Sequence, residues 1–426
     1  MRAPAPMRND GSVETVPGQT VTVVGIGADG WAGLAEPGRA AVRAAEVVLG
    51  GPRQLELVAG HTKAEPRRWP SPMLPALPGL FAELAGHRLC VLASGDPLFH
   101  GIGATLAQLL GPGRLDVVPH PSSVSLACGR LGWALDGVEV VSAVGRPLAR
   151  VRRLLAPGVR LLVLSEDAST PGALAGLLDA AGYGASSMSV LAQLGGSDEH
   201  RVDGTAGEWS HPPGDPLNLV AVDCAAGPGA ATLGEVPGLP DDAYAHDGQL
   251  TKREVRAVTL AHLAPRPGEL LWDVGAGNGS VGIEWLRAHR SCRAVAVELD
   301  GARAGRIAAN AEALGVPGLR VVHGRAPGAL SGLPAPDAVF VGGGVTRPGV
   351  LDACWAPLPV GGRLVANAVT LEAEAVLADG YARLGGELTR VAVSRAAPVG
   401  GFTGWRPAMP VTVWSVTKGR AAQERA

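Results

Sequence analysis

Short apolar runs alternate with amphipathic stretches along residues 20–222. The apolar runs are rich in Val, Leu and Ile, and they predict the strands TVTVVGI, RLCVLA, RLDVVP, RLLVLS, SMSVLAQL and LNLVAVD. The stretches between them are rich in Ala, Leu and Arg, and they predict helices such as EPGRAAVRAAEVVL and HGIGATLAQLL. Strands that alternate with helices in this way predict an α/β fold.

A second series of the same kind follows residues 225–245, which are rich in Gly, Pro and Ala and predict a linker. Helices are predicted from TKREVRAVTLAHL, SVGIEWLRAHR and GARAGRIAANAEAL, and strands from ELLWDV, RAVAVEL, LRVVHG, DAVFVGG, GRLVANAV and PVTVWSVTK. The pattern therefore predicts two α/β domains, at residues 20–224 and 246–418. Residues 1–19 are polar and Pro-rich and predict a disordered tail, and a second tail is expected at 419–426.

Composition and charge narrow the possible functions. The chain of 426 residues is 46% apolar, which is ample for two hydrophobic cores, and its net charge is −2. No global field therefore attracts nucleic acid or an anionic membrane, and no apolar run reaches the length of a membrane span. The cysteines form no CxxC pair, which argues against a zinc site and suits a reducing cytoplasm; they are Cys90, Cys128, Cys224, Cys292 and Cys354.

The run LLWDVGAGNGSVGIEW, residues 271–286, places an acid and three glycines between a predicted strand and a predicted helix. Glycines let the backbone pass close to a ligand, and the start of the helix offers free N–H groups. Glu298 closes the next predicted strand, where such loops use an acid for ribose hydroxyls. A tight turn that binds nothing is the alternative to a cofactor site. The predicted cofactor-binding residues of this run and strand are Asp273, Gly275, Ala276, Gly277, Asn278, Gly279 and Glu298.

The spacing D-x-G-x-G-x-G differs from the GxGxxG of dinucleotide enzymes and resembles the class I S-adenosylmethionine methyltransferases, whose fold is Rossmann-like. Around it, HDGQLTKREVRAVTLAHL, HGRAPGAL, VFVGGG and GGRLVANAVTLE resemble the cobalamin-pathway precorrin-6 methylases that methylate C15 and decarboxylate. This resemblance implies that Gln249 and Thr251 lie at the cofactor pocket and that Ala326 lies near the adenine. Arg325 replaces an acid that the family often has, so backbone groups are expected to contact the adenine. The substrate residues that the domain suggests are Gly343, Gly344, Asn367, Thr370 and Arg253.

The first series carries its own glycine loop, TVVGIGADG, and a second segment, LASGDPLFHGIG. Together with HPSSVSLACGRLGW and LSEDASTPGALAGLL, they resemble the tetrapyrrole methylase superfamily, a class III methyltransferase fold of two small α/β lobes. The first loop departs from the family's GxGPGD, since Ala28 stands where that pattern has proline. Asp96 has a second interpretation, as a turn former before proline. The cofactor-binding residues that this resemblance implies are Gly25, Gly27, Gly95, Asp96, Pro97, Ser122 and Ser123.

The order of the two domains resembles the family of bifunctional precorrin-6Y C5,15-methyltransferases. The resemblance implies S-adenosyl-L-methionine as the cofactor of both domains, methylation of a tetrapyrrole (precorrin) at C5 and C15, loss of carbon dioxide from the ring C acetate, precorrin-8 as product, and a homo-oligomer. Methyl transfer from a sulfonium depends mainly on positioning and water exclusion, so no metal is required and no catalytic residue is assigned. Candidates for proton handling are His246, His323 and Glu372, and candidates for holding carboxylates are Arg253, Arg325, Arg347 and Arg395.

Two other functions fit parts of the sequence. An RNA methyltransferase also uses these folds, but it calls for a basic stripe with aromatic residues, whereas this chain has three lysines and 4% aromatic residues. Alternatively, the first domain is a non-catalytic scaffold that only delivers the tetrapyrrole, which its altered first loop permits.

Overall fold

The computed structural model describes residues 20–111 and 113–419. The tails expected at 1–19 and 419–426 therefore lie, apart from Gly419, outside the described residues. Helices and strands alternate along the described chain, which confirms the predicted α/β class.

The chain divides into two compact units. The first takes in the described residues up to Arg146 together with Ala156–Ala230, and the second takes in Pro147–Leu155 together with the chain from Ala231 onward. The assignment of Pro147–Leu155 to the second unit is a feature that the sequence pattern does not predict.

Two five-stranded sheets form the first unit. The first sheet is parallel, in the order β3-β2-β4-β1-β5, and the second is mixed, in the order β6-β7-β10-β8-β9. Their strands are β1 (Val21–Ile26), β2 (Val47–Gly50), β3 (Glu65–Arg68), β4 (Leu89–Ser94), β5 (Leu115–Val118), β6 (Val138–Ser142), β7 (Arg160–Leu164), β8 (Ser187–Ala192), β9 (His200–Thr205) and β10 (Asn218–Asp223). Their helices are α1 (Gly30–Gly33), α2 (Glu36–Ala44), α3 (Pro52–Val58), α4 (Met73–Glu83), α5 (Ile102–Leu110), α6 (Ser123–Leu131) and α7 (Thr170–Ala180).

A seven-stranded sheet in the order β13-β12-β11-β14-β15-β19-β16 forms the second unit, beside a two-stranded hairpin of β17 and β18. The strands are β11 (Leu270–Val274), β12 (Arg293–Glu298), β13 (Arg320–His323), β14 (Ala338–Val341), β15 (Arg363–Ala368), β16 (Glu387–Val391), β17 (Ser394–Val399), β18 (Phe402–Pro407) and β19 (Val411–Thr417). The helices are α8 (Arg253–Leu263), α9 (Ser280–Ala288), α10 (Gly301–Ala313), α11 (Val350–Trp355) and α12 (Leu371–Leu384). The central strands β11, β14 and β15 are buried along almost their whole length, which accounts for their continuous apolar sequences.

One predicted helix is too long. The stretch EPGRAAVRAAEVVL was predicted as a single helix, but α2 ends at Ala44, where the chain turns extended at Ala45. The following residues, Val47–Gly50, are all buried and form β2 between β3 and β4. Pairing inside a sheet therefore decides the conformation of this apolar run, which a helical period alone misassigned.

The segment predicted as a linker is irregular, yet part of it is packed into the second unit. Leu239 and Tyr244 are each 3% exposed. The Glu284 carboxylate of α9 accepts hydrogen bonds from Gly238 N at 2.6 Å, Leu239 N at 3.0 Å and the Tyr244 hydroxyl at 2.8 Å. Gly and Pro content therefore predicted the irregular backbone here but not its burial.

Arg256 of α8 completes this buried group. Its side chain is fully buried, and its guanidinium donates to the Glu284 carboxylate and to the carbonyls of Leu239 and Thr251. It also lies over the Tyr244 ring, 4.8 Å from the ring centroid. The ion pair thus fixes both ends of the chain segment that leads into α8.

Asp273, the fourth residue of β11, is fully buried beneath the glycine loop. Its Oδ2 accepts a hydrogen bond from Gly282 N of α9 at 2.9 Å, and its Oδ1 has no hydrogen-bond partner in the part of the chain that the structure describes. Burial raises the pKa of Asp273 to about 7, with a smaller contribution from the nearby Glu298 carboxylate.

Asp273→Asn should raise the melting temperature of the full chain at about pH 8 and leave it nearly unchanged at about pH 4. The folded pKa of about 7 lies above the value of about 3.9 for an unfolded aspartate. The carboxyl's contribution to stability is therefore complete below about pH 4 and is lost as the pH rises through 7. Asparagine does not ionise and keeps the acceptor for Gly282. Scanning fluorimetry of both proteins across this pH range measures the difference.

Asp247→Asn is the matched control. The Asp247 carboxylate accepts hydrogen bonds from Arg303 and Asn278, and these hold its pKa well below its usual range. Its contribution is present above about pH 4, so D247N is expected to lower the melting temperature throughout the range from about pH 5 to 8. A D273N effect that does not change with pH would contradict the raised pKa of Asp273.

Candidate active site

A cleft of about 640 Å³ opens in the second unit at the carboxyl ends of its parallel strands. The glycine loop after β11 and the acid that ends β12 line it. Residues 248–252, 254 and 255, before and within the first turn of α8, also line it, as do residues 324–326 and 342–344. Ligands of open α/β sheets bind at this edge, so the topology makes the cleft the candidate site.

The three glycines of the loop differ in how much space surrounds the position of an added Cβ atom. All have positive φ, at 67° for Gly275, 60° for Gly277 and 84° for Gly279. A Cβ on Gly275 would lie 2.6 Å from the Gly343 oxygen, and one on Gly279 would lie 2.8 Å from the Ile307 side chain. Gly277 is the least crowded, since a Cβ there would meet only the Gln249 oxygen, at 3.2 Å. Gly275 and Gly279 thus serve the packing of the loop, whereas Gly277 leaves room at the cleft.

Glu298 closes β12 and lines the cleft while it is only 6% exposed. Its Oε2 accepts a hydrogen bond from Gly277 N at 2.8 Å, and its Oε1 accepts one from Asp300 N at 2.9 Å. Each carboxylate oxygen keeps a further lone pair. The side chain therefore holds the glycine loop and can still accept hydroxyl hydrogens from a ligand.

Asn278 holds a second chain segment against the loop. It is 1% exposed, and its Nδ2 donates to Gln249 O at 2.7 Å and to Asp247 Oδ1 at 3.1 Å. Asp247 in turn accepts from Arg303 at 2.8 Å and from Arg306 at 2.7 Å. The backbone of Gln249 is thereby fixed beside Gly277 at the edge of the cleft.

Most of the predicted site residues of the second unit meet in this cleft. The predicted residues that line it are Gln249, Thr251, Gly275, Ala276, Gly277, Glu298, Ala326, Gly343, Gly344 and Asn367. Asp273, Asn278 and Gly279 do not line it, because their contacts lie within the protein beneath or behind the loop.

Two of the proposed substrate residues also lie away from the cleft lining. Arg253 is exposed at the first position of α8. Thr370 is the N-cap of α12, and its hydroxyl accepts a hydrogen bond from Ala373 N at 3.3 Å. Both residues lie at the start of a helix near the cleft in sequence, and neither lines the cleft.

None of the three candidates for proton handling lines the cleft. His246 Nδ1 accepts from Gly248 N at 3.0 Å, and His323 Nε2 donates to Leu299 O at 2.9 Å. Glu372 lies in the first turn of α12. The two histidines have local hydrogen-bonding roles, and the structure offers no reason to assign a proton transfer to any of the three.

The cleft is lined by more basic than acidic side chains, in a chain whose net charge is −2. Three of the basic groups lie in ion pairs: Arg303 with Asp247, Arg395 with Glu254 and Lys252 with Asp241. Arg325 and Arg347 have no side-chain partner among the described residues. The full charged lining is Lys252, Arg303, Arg325, Arg347 and Arg395 against Glu254 and Glu298.

In the first unit, the predicted glycines converge where β1 and β4 end. Gly95 N donates to Ile26 O at 3.0 Å, and Gly95 has a φ of 58°. A Cβ on Gly25 would lie 2.2 Å from the Gly95 oxygen, and one on Gly27 would lie 2.6 Å from the His120 ring. Neither glycine could therefore carry a side chain without displacing its neighbour.

The loop after β4 folds back on itself. Asp96 Oδ1 accepts a hydrogen bond from Leu98 N at 2.8 Å, the turn-forming role that was one of its two interpretations. Added Cβ atoms on Gly101 and Gly103 would both lie 2.6 Å from the Pro97 oxygen. These two glycines therefore permit the loop's own close packing.

Ser122 and Ser123 lie next to this loop. Ser122 is the N-cap of α6, and its Oγ accepts from Ser125 N at 3.1 Å. Ser123 is the first residue of α6. A Cβ on Gly95 would lie 3.2 Å from the Ser122 Cα, so the structure brings the serine pair and the glycine loop together.

Sequence reasoning missed a histidine at the same edge. His120 is 9% exposed, and its Nε2 lies 3.2 Å from Asp29 Oδ2 while its Nδ1 lies 3.1 Å from Pro121 O. Both ring nitrogens therefore lie within hydrogen-bonding distance of an oxygen acceptor. The residues are 91 positions apart, so no local pattern in the sequence links them.

A membrane-spanning helix and a metal-binding cluster are both absent from the described residues. Among residues 20–111 and 113–419, no helix is both long and apolar enough to cross a bilayer. Within the same residues, no group of three or more His, Cys, Asp or Glu side chains is arranged to hold a metal ion.

Comparisons with known proteins match both halves of the chain. Residues 20–209 match the family of tetrapyrrole (corrin/porphyrin) methylases, and residues 242–418 match the precorrin methyltransferase domain. The crystal structure of the C-terminal domain of precorrin-6Y C5,15-methyltransferase from Rhodobacter capsulatus is 47% identical. The match covers 44% of this chain and the whole of the Rhodobacter capsulatus domain, with a TM-score of 0.42.

Two curated relatives match along almost their whole length. The precorrin-6Y C(5,15)-methyltransferase (decarboxylating) of Sinorhizobium sp is 50% identical over 399 residues, which are 94% of this chain and 96% of the relative. The protein of the same name from Mycobacterium tuberculosis (strain ATCC 25618 / H37Rv) is 51% identical over 403 residues, which are 93% of this chain and all of the relative. The chain therefore belongs to the family of decarboxylating precorrin-6Y C(5,15)-methyltransferases.

Proposed function

We propose that this chain methylates precorrin-6Y at C5 and C15 and removes the ring C acetate carboxyl group as carbon dioxide, giving precorrin-8. One observation carries the proposal: the chain is 50% identical over 94% of its length to a protein with this activity in its name. The two family matches, to residues 20–209 and 242–418, support two methyl-transfer sites in one chain.

We propose S-adenosyl-L-methionine as the cofactor of the second unit, which supplies an electrophilic methyl group when bound. The residues of the cleft fit such a group. Glu298 has free lone pairs for ribose hydroxyls, and Gly277 leaves space beside it. Ala326 lines the cleft next to Arg325, whose side chain cannot accept from an adenine amine, so backbone groups there would contact the base.

We propose a second site for the same cofactor in the first unit. Gly25, Gly27 and Gly95 together form a close-packed backbone surface, and the Ser122–Ser123 start of α6 lies against it. The N-terminus of α6 adds unpaired N–H groups at this edge. The alternative, a first unit that only delivers the tetrapyrrole, makes no use of this glycine surface.

The substrate's carboxylates fit the basic lining of the second unit. Arg325 and Arg347 lack side-chain partners among the residues described, and guanidinium groups bind carboxylates in bidentate fashion. The chain's task is then to hold the macrocycle still and exclude water while its bridge carbon attacks the methyl group. The electrons left by the departing carbon dioxide pass into the conjugated ring, where they neutralise the positive charge gained with the methyl group. A proton from water then adds to the remaining methylene and completes a methyl group on ring C.

We assign C15 methylation and decarboxylation to the second unit and C5 methylation to the first. A probable cobalt-precorrin-6B C(15)-methyltransferase (decarboxylating) of Pyrobaculum calidifontis is 38% identical over 42% of this chain and 94% of its own. This relative is about half as long as the present chain, and its name gives only the C15 methylation and the decarboxylation. That supports assigning these two reactions to the second unit alone.

We also propose that the enzyme works as a homo-oligomer in the cytoplasm, without a nucleic-acid partner. The five cysteines are all buried and unpaired, which fits a reducing compartment. The net charge of −2 gives no general attraction for nucleic acid.

Incubation of the full chain with reduced precorrin-6 and S-adenosyl-L-methionine is expected to give a product that has gained two methyl groups and lost carbon dioxide. Mass spectrometry of the product measures all three changes at once. A protein that binds S-adenosylhomocysteine but leaves the precorrin mass unchanged would contradict the proposed function. Nucleic acid that stays on the purified protein until salt removes it would then favour an RNA substrate.

Titration calorimetry is expected to find two S-adenosylhomocysteine molecules bound per chain, one in each unit. Gly277→Val and Gly95→Val should each reduce this number to one, because a branched side chain is strained at their φ of 60° and 58° and would fill the cofactor surface. Product mass should then show no loss of carbon dioxide with G277V and no C5 methyl with G95V.

Two matched controls separate backbone strain from loss of the site. Gly400→Val and Gly145→Val introduce the same strain at φ values of 58° and 61°, where an added Cβ meets no atom within 4 Å. Both controls are expected to bind two molecules per chain. A wild type that binds only one molecule per chain, together with a G95V variant that still adds both methyl groups, would support the scaffold alternative.

A further inference from the structure

The first glycine loop of the first unit ends in a tight turn at residues 27–30. Gly30 N donates to Gly27 O at 3.3 Å, and Asp29, the third residue of the turn, has a φ of −68° and a ψ of −9°. These angles are close to those of a type I turn, in which proline is favoured at the second position because its ring presets φ. Ala28 occupies that position, so the turn has little conformational restraint of its own.

A contact from outside the turn supplies a restraint. Asp29 is the N-cap of α1, where an aspartate usually accepts from the backbone of the first helical turn, yet its side chain makes no capping hydrogen bond. Its Oδ2 lies instead 3.2 Å from Nε2 of His120, which is 9% exposed. An imidazole N–H can donate to the carboxylate oxygen there. Because His120 follows β5, the neighbour of β1 in the sheet, the bond ties the turn to a second strand end.

This pair encloses Gly27 on the side where a side chain would lie. A Cβ added to Gly27 would be 2.6 Å from both Asp29 Oδ1 and the His120 ring. Ala28 packs in turn against the loop that follows β8 of the second sheet, since a Cβ on Gly196 would lie 2.9 Å from the Ala28 Cβ. The conformation of the turn therefore decides where the Gly27 backbone lies at the candidate cofactor site.

We infer that His120 is a positioning residue for the first cofactor site, because through Asp29 it holds the turn in the conformation that binds S-adenosyl-L-methionine. The inference rests on the cofactor site proposed for the first unit. A turn that spends part of its time in other conformations binds more weakly by the fraction that is competent. The bond from His120 thus takes the place of the proline that the family's GxGPGD pattern has at position 28.

Two substitutions of His120 separate its hydrogen bond from its presence in the packing. Glutamine places an N–H donor near the position of Nε2, whereas asparagine is one bond shorter and places its donor near Nδ1, out of reach of Asp29. His120→Asn is expected to weaken S-adenosylhomocysteine binding at the first site by about 10-fold, the usual effect of one lost hydrogen bond, and His120→Gln should stay within about 3-fold of the wild type. Titration calorimetry of the full chain measures both, with the second site as internal control.

Ala28→Pro is the rescue variant, because it restrains the same turn without the bond. Within the described residues Ala28 N donates no hydrogen bond, so proline removes none there. A28P alone should bind like the wild type, and A28P added to H120N should restore affinity at the first site to within about 3-fold of the wild type. Asp29→Ala should weaken binding as H120N does, and the double variant H120N/D29A should bind no more weakly than either single variant.

Hydrogen exchange of the unliganded full chain tests the turn without any ligand. The Gly30 amide closes the turn, so exchange in peptides that cover residues 28–33 should be faster in H120N and in D29A. The exchange should return toward the wild-type rate in H120Q and in H120N/A28P. Product mass should show less C5 methylation by H120N and unchanged C15 methylation, because the second unit has its own cofactor site.

Three results would overturn the inference. H120N that binds at the first site as tightly as the wild type would leave the bond without a role. Equal losses in H120N and H120Q, with no rescue by A28P, would reduce His120 to a packing role. Weaker binding at both sites would indicate general destabilisation of the chain. A wild type that binds only one molecule per chain is a different result, since it removes the proposed first site, and hydrogen exchange then shows separately whether His120 restrains the turn.

Discussion

The cleft of the second unit depends on a buried ion pair between Arg256 and Glu284. Removing one partner of such a pair typically costs about 3–5 kcal/mol, because the other charge stays buried without compensation. Here the charges are also hydrogen-bonded to the backbone, Glu284 to Leu239 N and Arg256 to the carbonyls of Leu239 and Thr251. The pair therefore does more than join two helices: it determines the path of the chain that becomes one wall of the cleft.

The glycine loop opposite that wall is held by side chains that lie outside it. Glu298 accepts from the loop at Gly277, and Asp273 accepts from the helix that follows the loop. Burial, with a smaller contribution from the Glu298 carboxylate, raises the pKa of Asp273 to about 7. Asp273 is therefore partly protonated at neutral pH, which limits the repulsion between the two acceptors beneath the loop.

The sequence pattern predicted the buried elements well and the edge elements poorly. Central strands such as β11 and β14 are continuous apolar runs because both of their faces are covered. Strands β3 and β9 have no such pattern, since EPRR and HRVDGT lie at sheet edges and are mostly exposed. The short apolar run of β2 was misassigned because only its neighbours in the sheet distinguish it from the end of a helix.

The residues of the candidate site also fall into two groups, those that local sequence predicts and those that it does not. The glycines and Glu298 were predicted from local spacing, because a loop that approaches a ligand needs them at fixed distances along the chain. The partner of Asn367 is Thr259, 108 positions away, and the partner of His120 is Asp29, 91 positions away. Such pairs leave no local pattern. Thr370 and Arg253, two of the suggested substrate residues, lie at helix starts and do not line the cleft.

The contact between Glu298 and Gly277 also bears on how this kind of loop can be moved between proteins. The glycine run occupies only a few positions, yet its shape is maintained by Glu298 at the end of a neighbouring strand and by Asn278, which ties in a separate segment at Gln249. A graft of the glycine run alone onto another α/β scaffold would carry Asn278 but neither Glu298 nor the segment at Gln249 to which Asn278 donates. What must be transplanted is the set of acceptors and donors around the loop, and those come from three separate stretches of the chain.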